Sequence, residues 1–403
     1  MVPNPTLTDA DIAALRERTP GTSHVAHFNN AGCSLPSIGV LDTVVSYLHQ
    51  EAMIGGYEAA TAVTTRLGAV YDSVAALLGA KPTEIALVEN ATAAWDMAFH
   101  SIPFLPGNRI VTVQSEYASN YIGYLLAVER LGVQVDVVPD DGDGQVDLEA
   151  LESMMDERVR LVSATHVPTN GGLVNPVAEI GAIAKRAGAL YLVDACQSVG
   201  QLDFTVDSIR CDLLSFTGRK YVRGPRGTGA LYVRSSVLDQ LHPPFLDLHS
   251  ATWTSPTTYE MLPDAKRFEN WESNIAMKLG LGVAVDEAIA IGLPAIERRV
   301  AALAESLRTA LRSIAGVTVR DQGAKQCGIV SFTVDGRAAA DVAAALRAQM
   351  INVSVTGRAG TLLDMTRRNL DAMVRASVHY FNTDDEIDRL CSALRAFLGG
   401  AAR

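Results

Sequence analysis

Between about residue 60 and residue 235, short apolar runs alternate with longer segments of helical periodicity. Runs such as "RIVTV" (109–113), "VRLVSATHV" (159–167) and "LYLVDA" (190–195) are apolar at almost every position. This pattern is typical of strands buried on both faces. Segments such as "NPVAEIGAIAKRAG" repeat apolar residues at helical spacing. The alternation predicts βαβ units and a mostly parallel sheet with helices on its faces, an α/β fold.

The remainder of the chain has a different pattern. Residues 236–272 look irregular, and two long helical patterns follow them. The runs "VTVR", "GIVSFTV" and "INVSVT" then surround a helical segment, before an amphipathic helix at the end. We therefore expect a smaller α+β domain at 291–403 and a large α/β domain at 56–290. Residues 1–55 are expected to join the small domain and the mouth of the active site.

The composition argues against several classes of function. The 403 residues are 48% hydrophobic, enough for a large core. A net charge of -11 and a pI near 5.2 argue against a nucleic-acid partner. The N-terminus has no apolar signal core, and no run reaches the roughly 18 apolar residues of a membrane helix. Five widely spaced cysteines without CxxC favour neither a disulfide framework nor a zinc site. We expect a cytoplasmic protein with no membrane, nucleic-acid or metal partner.

Polar side chains follow several of the predicted strands, where ligands bind in open parallel sheets. Asp194 and Gln197 follow "LYLV", Thr92 follows "EIALVE", and Lys220 follows "CDLLSFT". Alone, Asp194 could be a helix cap and Lys220 a solvated surface group. Together they suit pyridoxal phosphate: a lysine amine reacts with its aldehyde, and a carboxylate keeps its ring nitrogen protonated. Arginine cannot replace that lysine, because its guanidinium stays protonated.

The phosphate of such a cofactor also needs a site. Thr92 at a predicted helix N-terminus offers a hydroxyl and backbone amides. Thr217 and Arg219 are close enough to Lys220 in sequence to reach the same group. The glycines of "RGPRGTG" allow close backbone approach, although a glycine-rich loop alone is a weak signal.

The segments "LYLVDACQSVGQ" and "SFTGRKYVRGPRGTGALYV" resemble the class V aminotransferase group of fold type I pyridoxal phosphate enzymes. This group includes cysteine desulfurases and cysteine–sulfur lyases, and the resemblance runs from "FNNAG" (28–32) to "RASVHYFNTDDEID" (375–388). It implies a homodimer with active sites at the interface and an amino-acid substrate. Lys220 is implied to be the catalytic residue. The cofactor contacts implied are Ala91, Thr92, Tyr117, Thr169, Asp194, Gln197, Thr217, Arg219 and Lys220, and the substrate contacts are Asn30, Tyr57 and Arg375, whose guanidinium grips the α-carboxylate.

Several positions depart from the family pattern. Arg219 stands where a histidine usually precedes the lysine, and Tyr117 stands where a histidine usually stacks on the ring. In "HVPTNGG" either Thr169 or Asn170 could contact the ring. In "RFENWES", Glu272 replaces a threonine that reaches the neighbouring subunit's phosphate.

The expected reaction follows from the cysteines and from a closer resemblance. Residues 355–375 contain no cysteine that could act as the mobile nucleophile of a desulfurase, and we expect Cys33 to have a packing role. "EAMIGGYEAA" (51–60) and the tyrosine of "SEYASN" resemble cysteine S-conjugate C–S lyases of ergothioneine and lincosamide biosynthesis. This implies β-elimination from an S-substituted cysteine, releasing a thiol, pyruvate and ammonia, in a secondary-metabolite pathway. The alternatives are decarboxylation with oxidative deamination, transamination, and a binding protein that keeps the fold without catalysis.

Overall fold

The computed structural model describes residues 6–399, and its regular elements alternate along most of that length. The strands are β1 (Ala26–His27), β2 (Ile85–Val88), β3 (Arg109–Val113), β4 (Gln134–Val138), β5 (Val159–Thr165), β6 (Leu190–Asp194), β7 (Leu213–Thr217), β8 (Gly229–Val233), β9 (Ala251–Ser255), β10 (Thr258–Met261), β11 (Val317–Val319), β12 (Ile329–Val334), β13 (Ile351–Asn352), β14 (Ser354–Gly357) and β15 (Ala372–Ser377). The helices are α1 (Asp9–Glu17), α2 (Ile38–Ile54), α3 (Gly56–Ala62), α4 (Thr64–Leu78), α5 (Ala91–His100), α6 (Ala118–Leu131), α7 (Leu148–Met154), α8 (Val177–Ala187), α9 (Val206–Ile209), α10 (Ile275–Ile291), α11 (Leu293–Arg312), α12 (Ala339–Arg347), α13 (Leu362–Arg367) and α14 (Asp384–Gly399).

The larger sheet has seven strands in the order β2-β8-β7-β6-β5-β3-β4. Strand β8 runs antiparallel to both of its neighbours, and the other pairs are parallel. In this register Asp194 pairs with Thr165 on one side and Ser215 on the other. The carboxyl ends of five strands that carry predicted site residues therefore meet at one edge of the sheet.

Both faces of this sheet are buried. Leu190 and Leu192 pack into one core cluster, whereas Tyr191 and Val193 pack into another on the opposite face. Strands covered by helices on both sides must be apolar at successive positions. This explains the continuous apolar runs in the sequence and confirms the predicted α/β fold with a mostly parallel sheet.

The smaller sheet is antiparallel, with the order β11-β12-β15-β14, and it packs against α11 and α12, which α14 contacts in turn. Leu303, Leu307 and Leu311 on one face of α11 lie in its core. Phe28 packs into the same core, and β1 pairs with β13. These contacts support the proposed assignment of the N-terminal segment to the small domain.

The segment 236–272, expected to be irregular, contains the hairpin β9–β10. The strands "ATWTS" and "TYEM" do alternate apolar and polar residues, but they are short and mostly exposed on both faces, and a proline follows the first of them. Within residues 6–399, no single helix is long and apolar enough to cross a bilayer. The pair α10 and α11, bent by 82°, meets that criterion only when the two are taken together.

One buried guanidinium joins the Lys220 turn to distant parts of the chain. Arg223 is 4% exposed and has a left-handed backbone with φ of 66°. Its side chain donates to Thr19 Oγ1 at 2.6 Å, to the Leu35 carbonyl at 2.8 Å and to the Tyr380 hydroxyl. Its guanidinium carbon also lies 4.8 Å from the centre of the Phe381 ring. The turn after β7 is thereby tied to the N-terminal segment and to the residues that follow β15.

Replacing Arg223 should therefore destabilise the whole fold. We expect Arg223→Ala to lower the free energy of unfolding by about 3 kcal/mol, because three acceptors, two of them on buried residues, lose their donor. Urea unfolding followed by circular dichroism measures this change. Arg226→Ala, at an exposed arginine of the same turn, is the matched control. Equal stability of the two variants would contradict the assigned role of Arg223.

Candidate active site

A cavity of about 360 Å³ opens at the carboxyl edge of the larger sheet. Residues that follow β2, β3, β5, β6 and β7 line it, and the N-terminal segment and β15 close it. The lining residues are Ala31, Gly32, Asn90, Ala91, Thr92, Tyr117, Thr165, Val167, Thr169, Asp194, Cys196, Gln197, Thr217, Arg219, Lys220 and Arg375. The fold thus brings together all nine predicted cofactor contacts, together with Arg375.

Asp194 lies at the end of β6 and is 6% exposed. The backbone N–H of Cys196 donates to its Oδ1 at 2.9 Å, and Asn120 Nδ2 on α6 donates to its Oδ2 at 3.0 Å. Each carboxylate oxygen has a fixed donor, so the side chain has little rotational freedom. The sequence did not indicate Asn120, because a polar residue in the first turn of a helix is ordinarily solvated.

Lys220 lies half-buried in the cavity wall, in the turn after β7. Within residues 6–399 its Nζ has no hydrogen-bond or ion-pair partner. Burial lowers the pKa of Lys220, and the charges of Arg219 and Arg375 lower it further, against the opposing effects of Cys196 and Asp194. The neutral amine that a nucleophile or base requires is therefore present at a lower pH than for an exposed lysine.

One end of the cavity is suited to a phosphate group. Asn90 caps α5 by accepting from the Ala93 N–H at 2.9 Å, which leaves the Ala91 and Thr92 amides at the positive end of the helix. Gly229 lies beneath this helix start, and a Cβ there would be 2.8 Å from the Asn90 carbonyl carbon. Glycine at 229 therefore lets β8 approach the N-terminus of α5 closely.

Thr217 and Arg219 lie in the same wall of the cavity. The Thr217 hydroxyl donates to the Thr228 carbonyl at 3.2 Å, and Arg219 Nη1 donates to the Gly32 carbonyl. Arg219 thus joins the lysine turn to the N-terminal segment while placing a positive charge at the cavity. A permanently charged guanidinium in this wall is compatible with an anionic ligand.

Gln197 and Tyr117 lie at other positions around the cavity. Gln197 Nε2 donates to the Ala31 carbonyl at 3.1 Å, whereas its buried Oε1 has no partner within the described chain. A buried, unpartnered polar atom facing a cavity is consistent with a polar ligand there. Tyr117 is the N-cap residue of α6 and is 36% exposed, so its ring is available to a flat ligand.

Arg375 on β15 is oriented by two neighbours. Its Nη1 donates to the carbonyl and hydroxyl oxygens of Thr169 at 2.7 and 3.0 Å, and its Nε donates to Ser354 Oγ at 3.0 Å. The pKa of Arg375 is lowered to about 10, mainly by burial and also by the charge of Arg219, against the opposing effect of Tyr221. The guanidinium remains charged at neutral pH and is held ready for a carboxylate.

The structure distinguishes Thr169 from Asn170. Thr169 lines the cavity, while Asn170 points away and donates to Asp364 Oδ2 on α13 at 2.7 Å. The Asn170 carbonyl also accepts from Ser331 Oγ at 2.6 Å. Asn170 therefore links β5 to the smaller sheet, and of the two predicted ring contacts only Thr169 faces the cavity.

Two predicted substrate residues lie elsewhere. The amide nitrogen of Asn30 donates to the carbonyls of His27 and Ser377, and its Oδ1 accepts from Ser34. These bonds join the N-terminal segment to β15, and Asn30 does not line the cavity. Tyr57 on α3 is 79% exposed and does not line the cavity of this chain.

Two side chains at the site were not among the predicted contacts. Thr165 lines the cavity and donates to Glu116, and Glu116 accepts from the same Asn120 amide that binds Asp194. Glu116 lies in the loop before α6, and one buried glutamate in a loop carries no recognisable sequence pattern. Only the pairing of β3 and β5 places it behind the cavity.

The donor set fits pyridoxal phosphate. A half-buried amine, a fixed carboxylate, the N-terminus of α5 and a nearby guanidinium surround one cavity. These are the groups required by an aldehyde, a ring nitrogen and a phosphate, respectively. Lys220 would bind the aldehyde and Asp194 would bind the ring nitrogen. The phosphate would be held by Ala91, Thr92, Thr217 and Arg219.

The sequence matches a known protein family and is similar to known proteins of several organisms. The family model described as Aminotransferase class-V matches residues 26–390. A probable cysteine desulfurase of Methanothermobacter thermautotrophicus is 33% identical over 351 residues, covering 86% of this chain and 87% of that protein. A cysteine desulfurase of Enterobacter sp. is 32% identical over 397 residues, 96% of each chain.

Two solved structures have a similar fold. The apo structure of a cysteine desulfurase from Thermococcus onnurineus NA1 is similar with a TM-score of 0.89 and 28% identity, covering 96% of this chain and 98% of that one. A cystine C–S lyase solved with its reaction product cysteine persulfide has a TM-score of 0.84 at 23% identity, covering 94% and 99%. At that identity the second likeness concerns the fold alone.

The assignment of Lys220 can be tested with the cofactor itself. Addition of pyridoxal phosphate to the cofactor-free protein should produce a visible absorption band that Lys220→Ala lacks, because the variant has no amine at the cavity. Lys185→Ala, at an exposed lysine of α8, should keep the band. A band of normal intensity in Lys220→Ala would assign the reactive amine to another lysine.

Proposed function

This chain belongs to the class-V aminotransferase family and is pyridoxal phosphate-dependent, and we propose that it is a carbon–sulfur lyase acting on S-substituted cysteines. In the proposed reaction, R–S–CH₂–CH(NH₃⁺)–COO⁻ and water yield R–SH, pyruvate and ammonium. A secondary-metabolite setting remains part of this proposal. The main support for this proposal comes from residues 355–375, the segment that borders the cavity beside Arg375.

That segment offers no sulfur acceptor. Residues 355–375 contain no cysteine. A Cβ built at Gly360 would lie 3.7 Å from Thr169 Cγ2, so this turn borders the substrate end of the cavity. An enzyme that passes sulfur to its own thiol needs a mobile cysteine there, whereas elimination of a thiol into solvent needs none.

The cysteines elsewhere are poorly suited to accept sulfur. Cys211, Cys327 and Cys391 are buried, and burial raises the pKa of each thiol, that of Cys327 to about 12. Cys196 lines the cavity beside Asp194, and burial and that carboxylate raise its pKa. A raised pKa leaves little thiolate, the reactive form. Cys33 is partly exposed and does not line the cavity.

The residues present can perform elimination. Bound pyridoxal phosphate supplies an electron sink for the bond broken at the substrate α-carbon. Arg375 holds the α-carboxylate and so fixes the direction of the α-hydrogen. Lys220 Nζ, with its lowered pKa, takes that proton. Asp194 holds the proton of the ring nitrogen.

Cysteine desulfuration is the second candidate, favoured by the names of the relatives at 33% and 32% identity. Both reactions cleave a carbon–sulfur bond of a cysteine-type substrate. They differ in their acceptor and products: desulfuration leaves alanine and a protein persulfide, whereas elimination leaves pyruvate and ammonia.

The products distinguish the candidates. With S-benzylcysteine we expect equal amounts of pyruvate, ammonia and benzyl thiol, measured by a lactate dehydrogenase-coupled assay and a thiol reagent. Cys33→Ser should keep this activity and Lys220→Ala should lose it. Alanine and protein-bound persulfide from free cysteine, without pyruvate, would establish desulfuration. A keto acid that retains its sulfur substituent would establish transamination or oxidation.

The same assay tests Arg375. We expect Arg375→Lys to raise KM by about 100-fold, because a point charge cannot keep the bonds to Thr169, Ser354 and a carboxylate together. Arg347→Lys, at an exposed arginine of α12, should leave KM unchanged. An unchanged KM in Arg375→Lys would assign the carboxylate to another cation.

We further propose a homodimer, supported by an apolar stripe on α2. Leu41, Val45 and Leu48 follow each other at helical spacing and are each more than 40% exposed. Sedimentation equilibrium should give twice the 42.9 kDa of one chain, and Leu41→Glu with Leu48→Glu should halve that mass. A monomer of full activity would contradict this proposal.

A further inference from the structure

Behind the cavity lies Glu116, a carboxyl that none of the steps above uses. It lies between β3 and α6 and is 4% exposed. The Tyr117 N–H donates to its Oε1 at 2.8 Å, Asn120 Nδ2 donates to the same oxygen at 2.9 Å, and Thr165 Oγ1 donates to it as well. Thr112 Oγ1 and Tyr124 Oη donate to its Oε2 at 2.9 and 3.0 Å. Both oxygens of Glu116 are therefore fully bonded.

Asn120 connects this carboxyl to the active site. Its Nδ2 donates one hydrogen to Glu116 Oε1 and the other to Asp194 Oδ2, at 2.9 and 3.0 Å. The amide is planar, so its two N–H directions are fixed relative to each other. The position of Glu116 therefore sets the direction from which Asp194 Oδ2 is held.

The electrostatics of Glu116 are unusual for a merely structural group. Within residues 6–399 no lysine, arginine or histidine forms an ion pair with it. Burial raises the pKa of Glu116 and Asp194 raises it further, whereas the hydrogen bonds from Thr165, Asn120 and the Tyr117 N–H lower it and favour the ionised form. Burying a carboxyl without a cation costs stability, and a neutral glutamine could fill the same space.

We propose that Glu116 is a positioning residue for the cofactor: through Asn120 it orients Asp194 toward the ring nitrogen, and its charge favours the protonated ring. The proposal rests on pyridoxal phosphate binding beside Asp194. It is independent of which substrate bond is cleaved, so the assay of products and the test below can fail separately.

Glu116→Gln separates charge from shape. The glutamine oxygen can accept the three bonds now made to Oε1, and its NH₂ group can donate to the hydroxyls of Thr112 and Tyr124, which both donate and accept. The fold should therefore be retained while the negative charge is lost. Asn120→Ala instead keeps the charge and removes the connection.

The readouts are the visible absorption of the bound cofactor and its dissociation constant, neither of which requires turnover. In Glu116→Gln we expect the pH midpoint of the visible band to fall by about half a unit or more, because a nearby negative charge stabilises the protonated form. In Asn120→Ala we expect the cofactor dissociation constant to rise about tenfold, because Asp194 loses one of its two fixed donors. Addition of Glu116→Gln to Asn120→Ala should weaken binding little further.

Glu84→Gln is the matched control. Glu84 is also a buried carboxyl, 7% exposed, that accepts from Ser235 and the Lys81 N–H. It precedes β2 at the opposite end of the sheet, so its replacement should change the unfolding free energy without moving the midpoint. A wild-type midpoint in Glu116→Gln, or a wild-type dissociation constant in Asn120→Ala, would overturn the proposal. So would variants at 116 and 120 whose only effect is a lower unfolding free energy.

Discussion

The buried guanidinium of Arg223 is the contact on which the arrangement of the site depends. It reaches the N-terminal segment at Thr19 and Leu35, and it reaches the segment that contains β15 at Tyr380, just beyond the strand. These two segments also supply walls of the cavity, at Ala31, Gly32 and Arg375. The left-handed backbone at 223 is a cost that these bonds offset. Lys220, three residues earlier, is held in place by the same turn.

A second constraint is the accumulation of charge at one edge of a buried sheet. Arg219 and Arg375 are positive and Asp194 is negative around a single cavity, and the amine of Lys220 lies among them. Each of these groups except Lys220 is bonded to a neighbour in a fixed direction. Preorganised dipoles and charges of this kind need little rearrangement when a ligand binds. The unpartnered lysine is the one group in this set that is left free to react.

The residues that depart from the family pattern make specific contacts in this structure. Arg219 bonds the Gly32 carbonyl, a link between the lysine turn and the N-terminal wall. Tyr117 begins α6 directly after Glu116, so the aromatic side chain at the cavity and the carboxyl behind it belong to one short segment. Thr169 combines two tasks, lining the cavity and orienting Arg375. The site therefore depends on contacts between these residues as much as on their identities.

The sequence by itself determined the α/β class, the mostly parallel sheet and most of the polar residues that line the cavity. Strands buried on both faces must be apolar throughout, and polar residues directly after them must gather at one edge, so Asp194, Thr92 and Lys220 were predictable. Tertiary structure alone decided which polar residues point inward: Thr169 but not Asn170, and Arg375 but not Asn30. It also revealed Glu116 and Asn120, and placed Arg223 as a connection rather than a ligand. Side-chain direction depends on which distant acceptor lies within hydrogen-bonding distance, and strand periodicity along one chain carries no information about that.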